Sequence, residues 1–244
     1  RFKLKMWISS YVKYCLGLQY FRKHSFDSKY LIYSYWANFE CLSDAFFYDY
    51  KKIVRMHGGD FYVSRNHGYL PLRNELYNSA DLLLPISKDI KNILINNYSV
   101  DKKKVFLSYL GVDNNFEFSL KAYSTFKIVS CSNLYSLKRV HLIFDVLLEL
   151  SKKIDIIWHH YGDGDQKEYI ENYMNSQNSS KISAVFFGHV DQDALKSNYL
   201  KNNYSWFINT SLYEGLPVSI MEAFSFGIPA IATNVGGTNE IVHS

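Results

Sequence analysis

The chain has 244 residues, of which 48% are hydrophobic and 20% charged, with a formal net charge of +4. That balance fits one large or two smaller globular domains and excludes disordered, collagen-like and low-complexity classes. The charge is too slight to point to nucleic acid. Three scattered cysteines (Cys15, Cys41, Cys131) exclude a disulfide framework or Cys-based zinc site and fit a reducing compartment, and no apolar run reaches the roughly 18 residues of a membrane span.

The first thirty residues are basic: Arg1, Lys3, Lys5, Lys13, Arg22, Lys23 and Lys29 stand against Asp27 alone. Leu4, Ile8, Tyr11, Cys15 and Leu18 recur at helical spacing, which predicts an amphipathic helix. It is either a surface helix of a larger domain or a patch that leans on an anionic membrane surface.

Short apolar runs then alternate with helical patterns. Strands are expected at Leu31–Tyr35, Lys52–Met56, Asp81–Pro85 and Lys104–Ser108, with helices at Ala37–Tyr50, Leu70–Ser79 and Lys88–Asn97. The pattern lapses near Glu117–Thr125 and restarts. Strands follow at Phe126–Ser130, Ile154–His159, Ala184–Gly188, Trp206–Asn209 and Ala230–Thr233. Helices fall between them at His141–Lys152, Gln166–Asn175, Gln192–Leu200 and Val218–Phe226. Such alternation means βα units and mostly parallel sheets, in two α/β domains, 1–122 and 123–244. The chain starts at Arg1, not Met, and stops after Asn239–Val242, which reads as the first turn of a helix. Both ends of a longer protein are therefore expected to be missing, the first domain being incomplete.

Parallel sheets bind ligands at the carboxyl ends of their strands. The densest of those loops runs from Glu214 through Gly215, Leu216, Pro217 and Val218 to Glu222. Gly215 permits a tight turn, Pro217 suits a helix start, and free amides there attract anionic oxygens such as a diphosphate. Glu214 precedes the turn, and Glu222 lies two to three helical turns on, about 11–16 Å. Each carboxylate only accepts hydrogen bonds and can grip a vicinal diol, one at each end of a sugar-nucleotide. The plainer reading is a cap at Glu214 and a solvated Glu222.

The stretch Tyr213–Pro217 through Glu222-Ala223, Phe226–Thr233, Val235–Gly237 and Glu240–Val242 resembles the E-x7-E region of family 4 glycosyltransferases of the GT-B fold. Phe126–Lys138 is similar to that family's opening strand and Gly-Arg…Lys phosphate loop, Tyr161–Gly164 to its Gly-x-Gly turn, Phe187–Val190 to its Phe-x-Gly-x-Val segment, and Gly111–Asp113 to its Gly-Val-Asp turn. The likeness spans roughly residues 105–242. It is weaker before that, chiefly Arg55–Asp60 and Ile86-Ser87.

The resemblance implies two Rossmann-like domains with parallel sheets facing a cleft. It implies a retaining, metal-independent hexosyltransferase that uses a UDP- or GDP-sugar as substrate and no cofactor. The acceptor would be a hydroxyl of a growing surface polysaccharide or lipid-linked oligosaccharide, in the cytoplasm or peripheral on the inner face of the membrane. Glu214 would hold the donor sugar and Glu222 the ribose. Gly215 and backbone amides near Leu216 and Val218 would meet sugar or phosphate oxygens, and Lys138 would neutralise the departing diphosphate. Asn133 stands where the family has Arg and brings no charge. Arg139 is a nearby substitute, although one position along it faces a different direction. His57, in a Gly-rich turn, resembles the first-domain histidine that faces the donor sugar; the alternative is a structural histidine. Asp163-Gly164-Asp165 imitates a metal-binding D-x-D and Gly162-x-Gly164 a dinucleotide fingerprint, but the strand–turn–helix context and Lys167 at the third glycine position argue against both. Two other functions remain open: a GT-B sugar-nucleotide epimerase or hydrolase, and a non-catalytic nucleotide-sugar-binding subunit.

Overall fold

Apolar runs flanked by polar helices need cover on both faces of a sheet, and the chain answers with two parallel α/β layers. A computed structural model describes residues 2–23, 30–38, 50–66, 68–113, 126–177 and 179–243. They separate into two units that divide between Leu110 and Gly111. Residues 114–125, which hold the expected 122/123 boundary, lie outside the described residues.

In the first unit, helix α1 (Phe2–Lys23) precedes a three-stranded parallel sheet. Its strands are β1 (Leu31–Ser34), β2 (Lys51–Met56) and β3 (Leu82–Pro85), in that spatial order. Helices α2 (Gly58–Phe61), α3 (Arg73–Ser79) and α4 (Lys88–Asn97) follow β2 and β3. Ser87 caps α4 by accepting from the Ile90 amide at 3.3 Å. Three expectations change here. Helix α3 starts three residues late, because Leu72 takes a left-handed conformation with φ 57°. The strand expected at Lys104–Ser108 is a single bridge, Val105 to Leu83, because Lys102–Lys104 wind into a 3-10 turn capped by Asp101. Most of the helix expected at Ala37–Tyr50 lies outside the described residues.

Helix α1 forms where expected but packs only the later part of the expected face. Leu4, Ile8 and Tyr11 are 61%, 49% and 48% exposed, whereas Ser10 is fully buried. Met6, Tyr14, Cys15, Gly17 and Leu18 are half-buried, so Cys15 and Leu18 of the expected face do turn inward. Apolar side chains surround this helix, so their spacing alone did not single out the packed face.

The second unit is a five-stranded parallel sheet in the order β6-β5-β4-β7-β8. Its strands are β4 (Phe126–Cys131), β5 (Ile156–Tyr161), β6 (Ile182–Phe186), β7 (Trp206–Asn209) and β8 (Ala230–Ala232). The connecting helices are α5 (His141–Ser151), α6 (Lys167–Ser176), α7 (Gln192–Asn202) and α8 (Val218–Ser225). Strand β5 starts and ends two residues later than expected, and β6 two residues earlier. The terminal residues Gly236–Glu240 form a 3-10 turn. Strand alternation sorts the core. Ile128, Trp158 and Ile208 face α5 and α6, packing with Phe144, Leu147 and Ile170. Val129, Tyr161 and Phe207 face α7 and α8, packing with Tyr199, Ile220 and Phe226. Chain order runs outward from β4 to β6, then jumps back across β4 to β7. The sheet therefore has its topological switch point between β4 and β7, where open α/β sheets bind ligands.

Candidate functional site

The loops after β4 and β7 open at that switch point, and each is built on its neighbour. Ser132 N–H donates to Tyr161 O at 2.9 Å and Leu134 N–H to Asp163 O at 2.9 Å, so the β4 loop rides on the turn after β5. Gly162 N–H donates in turn to Gly188 O at 2.8 Å after β6. Two glycines make the approach feasible. A Cβ on Gly162 would lie 2.0 Å from Ser132 O, and one on Gly164 2.5 Å from Leu134 O.

The β7 loop meets the β4 loop through side chains. Lys138 Nζ donates to Glu214 Oε1 at 2.6 Å. Asn209 Nδ2 donates to the same oxygen at 3.3 Å, and Asn209 Oδ1 accepts from Ser211 N–H. Glu214 is 7% exposed, so this pair sits largely out of water, where charge attraction is strong. Arg139 does not join it. Its left-handed backbone turns the guanidinium onto Thr210 O (2.9 Å) and Ser211 O (3.2 Å).

Lys138, Glu214 and Glu222 share a cavity of about 370 Å³ with Ser132, Asn133, Leu216, Pro217, Val218 and Ser219. Pro217 is the N-cap residue of α8, so the first amides of that helix belong to the cavity wall. Glu222 Oε1 accepts from Gln192 Nε2 at 2.6 Å, which fixes its carboxylate from the start of α7. Cys131 forms part of the floor, and burial pushes its thiol up to about 11, so it stays protonated at neutral pH. Among the described residues, no three His, Cys, Asp or Glu side chains cluster as metal ligands. Asp163 turns its Oδ1 to the Gly164 amide at 2.8 Å.

His57 belongs to the first unit, as N-cap residue of α2. Its ring packs 4.1 Å from that of Trp36 and 4.9 Å from that of Tyr35. Nε2 donates to Tyr35 O at 3.0 Å, and burial, helped by Arg55, lowers the imidazole's pKa. Asp60 ties this turn together by accepting from His57 N–H at 2.7 Å and Ala37 N–H at 2.6 Å.

The model of the family described as "Glycosyl transferases group 1" matches residues 112–244. The chain belongs to this family. An uncharacterised glycosyltransferase of Methanocaldococcus jannaschii is 30% identical over 192 residues, covering 78% of this chain and 51% of the relative. The chain thus spans about half the length of that relative. Among solved structures, the apo lipopolysaccharide outer core galactosyltransferase WaaB is 18% identical with a TM-score of 0.72, over 98% of this chain and 65% of its own. HepE of Anabaena in complex with UDP is 16% identical with a TM-score of 0.69, over 95% and 65%. The fold is GT-B, as expected from the sequence.

Within this group 1 unit, Asn133, Lys138, Glu214, Gly215, Leu216, Val218 and Glu222 were expected to act together. Six of them line the one cavity; Gly215 lies in the turn between Glu214 and Leu216 without lining it. Asn209, Gln192 and Cys131 were not foreseen. Asn209 is the last residue of β7, so its place at a carboxyl end was a usable signal. Cys131, the last residue of β4, carried the same signal, and Gln192 carried none.

Proposed function

We propose that the whole protein is a retaining glycosyltransferase that moves a hexose from a UDP- or GDP-sugar to a hydroxyl of a growing surface polysaccharide or lipid-linked oligosaccharide. The observation that carries this is the Lys138–Glu214 pair set beside Glu222 and the α8 amides in one cavity at the switch point. A diphosphate lying against the helix start and Lys138 would be met by positive charge at both ends. Glu222, held by Gln192, is free to accept from a ribose diol through its other oxygen. Glu214 does the same for the sugar. The acceptor oxygen attacks C1 as the C1–O bond to phosphate breaks, and the acceptor proton passes to the leaving phosphate. Lys138 stabilises the charge that builds there, and no metal or cofactor enters the scheme. The UDP held by HepE and the lipopolysaccharide role of WaaB support the donor and acceptor classes.

Product analysis of the full-length protein with UDP- and GDP-hexoses tests the reaction. Transfer that depends on a saccharide acceptor and keeps the anomeric configuration is the expected result. Free sugar or an epimerised donor without acceptor would indicate the hydrolase or epimerase. Binding without turnover would indicate a non-catalytic subunit, the outcome that Asn133 and the diverted Arg139 would then explain.

Helix α1 supports a cytoplasmic protein peripheral on an anionic membrane. It exposes Leu4, Trp7, Ile8, Tyr11, Val12 and Leu16, and carries Lys3, Lys5 and Lys13 with no acidic residue. Among the described residues no helix is long and apolar enough to cross a membrane. Binding to vesicles with 30% anionic lipid, weakened by salt and by Lys3, Lys5 and Lys13→Gln, is expected; equal binding to neutral vesicles, or none to either, contradicts this.

A further inference from the structure

His160 is fully buried and lies outside the cavity, yet its hydrogen bonds lead into the loop that lines it. Trp158 Nε1 donates to Ser130 Oγ at 2.9 Å. Ser130 Oγ lies 2.8 Å from His160 Nδ1, and His160 Nε2 lies 3.1 Å from Ser132 O. For a neutral imidazole, one proton arrangement satisfies this chain. A carbonyl oxygen only accepts, so Nε2 carries the hydrogen and donates to Ser132 O. Nδ1 is then the acceptor, and the Ser130 hydroxyl donates to it while accepting from the indole. The indole can only donate, which agrees with this direction, and the accept-only Ser132 carbonyl sets it. Burial supports the same neutral form by pushing the imidazole down to about 4.

The consequence falls on the peptide that joins Ser132 to Asn133. It is trans, and in a planar trans peptide the N–H points opposite to the C=O. The carbonyl is held inward by His160 and packs against Gly162, where a Cβ would strike it at 2.0 Å. The Asn133 N–H therefore points away from His160, in a loop whose Ser132 and Asn133 line the cavity with Gly162. Ser132 N–H and Leu134 N–H on either side are already bonded to Tyr161 O and Asp163 O. The loop is fixed on both flanks, and the amide between them is the one opposed to the His160-bound carbonyl.

We infer that the Asn133 backbone N–H is a fixed donor to a phosphate oxygen of the nucleotide, and that His160 is the positioning residue that aims it. This rests on the donor-site reading above and deepens it. A neutral amide, oriented in advance, takes up part of the work of the charge that Asn133 lacks.

The test uses the full-length protein, UDP and GDP, and the nucleosides uridine and guanosine. His160→Phe fills the space but cannot donate to Ser132 O. It is expected to weaken binding of the diphosphate about tenfold, the ~1.4 kcal/mol of one hydrogen bond, and to leave nucleoside binding unchanged. His160→Gln keeps a donor and is expected to recover most of that loss. In the wild type, the Asn133 amide signal in a 15N–1H correlation spectrum should move downfield with the diphosphate and not with the nucleoside. This readout stands even where His160→Phe fails to fold. An unmoved Asn133 amide in a diphosphate-bound wild type, or a folded His160→Phe with wild-type diphosphate affinity, overturns the inference. A wild type that binds neither diphosphate overturns the donor-site reading instead.

Discussion

Glu214→Ala is expected to lower kcat/KM for the sugar donor by about a thousandfold or more and to destabilise the protein by roughly 3 kcal/mol. Both effects have one source. Glu214 neutralises Lys138 at 2.6 Å in a site where the carboxylate side chain is 9% exposed and the ammonium side chain 19%. Removing the carboxylate leaves a largely buried ammonium with no counter-charge and strips Asn209 Nδ2 of its acceptor. It also removes the acceptor proposed for the sugar hydroxyls, so turnover should fall further than stability explains. Lys138→Met should destabilise as well, by leaving Glu214 as the unpaired charge. The double variant Glu214→Ala, Lys138→Met should then be less destabilised than the two single losses added, because no lone charge remains. Urea unfolding of the four proteins measures this cycle. Strict additivity would mean that the two charges do not depend on each other.

Gly162→Ala is expected to cost about 3–5 kcal/mol, from overpacking and a disfavoured backbone together. The glycine has φ 129°, outside the range comfortable for an L side chain, and its added Cβ would sit 2.0 Å from Ser132 O and 2.7 Å from Ser132 C. Neither atom can yield easily, since Ser132 is bonded to Tyr161 and His160. The loop that carries Asn133 would have to move, and nucleotide affinity should fall with stability. Gly188→Ala is the control. Gly188 also has positive φ, 69°, but its Cβ would meet only Asp163 Oδ2, at 3.8 Å. Its cost should stay near the ~1–2 kcal/mol of the backbone alone. Similar losses in the two variants would show that the steric contact at Gly162 is relieved cheaply.

These two predictions come from loops whose chemistry was legible in the sequence and whose geometry was not. Glu214 and Glu222 stand out by their spacing around Gly215 and Pro217, and Lys138 through the family resemblance. Asn209 and Gln192 stay hidden because what they do is defined by a partner: Asn209 by Glu214 five residues on, Gln192 by Glu222 thirty residues away. Arg139 shows the same limit. Its charge was visible beside Lys138, but the left-handed turn that sends it to Thr210 and Ser211 depends on packing between β4 and β7. Strand alternation puts His159 and His160 on opposite faces of β5: His159 bonds Tyr204 Oη, while His160 bonds Ser130 and Ser132. The alternation was readable; the link from His160 to the loop required the register of β4 against β5, which pairs Ser130 with His160. Helix α1 was legible as a helix and its face only in part: Cys15 and Leu18 are half-buried as expected, whereas Leu4, Ile8 and Tyr11, with apolar rivals around the helix, are exposed. The run at 104–108 loses its start to a capped turn over Lys102–Lys104, and the rest follows β3 through Phe106 N–H to Leu83 O and Ser108 N–H to Pro85 O without becoming a full strand.

The central claim is that the cavity between the β4 and β7 loops binds a nucleoside diphosphate with Glu222 on its ribose. Thermal unfolding of the full-length protein against UDP, GDP, ADP, CMP and NAD tests it most directly. One nucleoside diphosphate should raise stability by about 2.7 kcal/mol at a hundredfold excess over its dissociation constant. Glu222→Ala should abolish that gain while leaving the unliganded protein folded. No gain with any diphosphate in the folded protein, or a gain that survives Glu222→Ala intact, would contradict the assignment of this cavity.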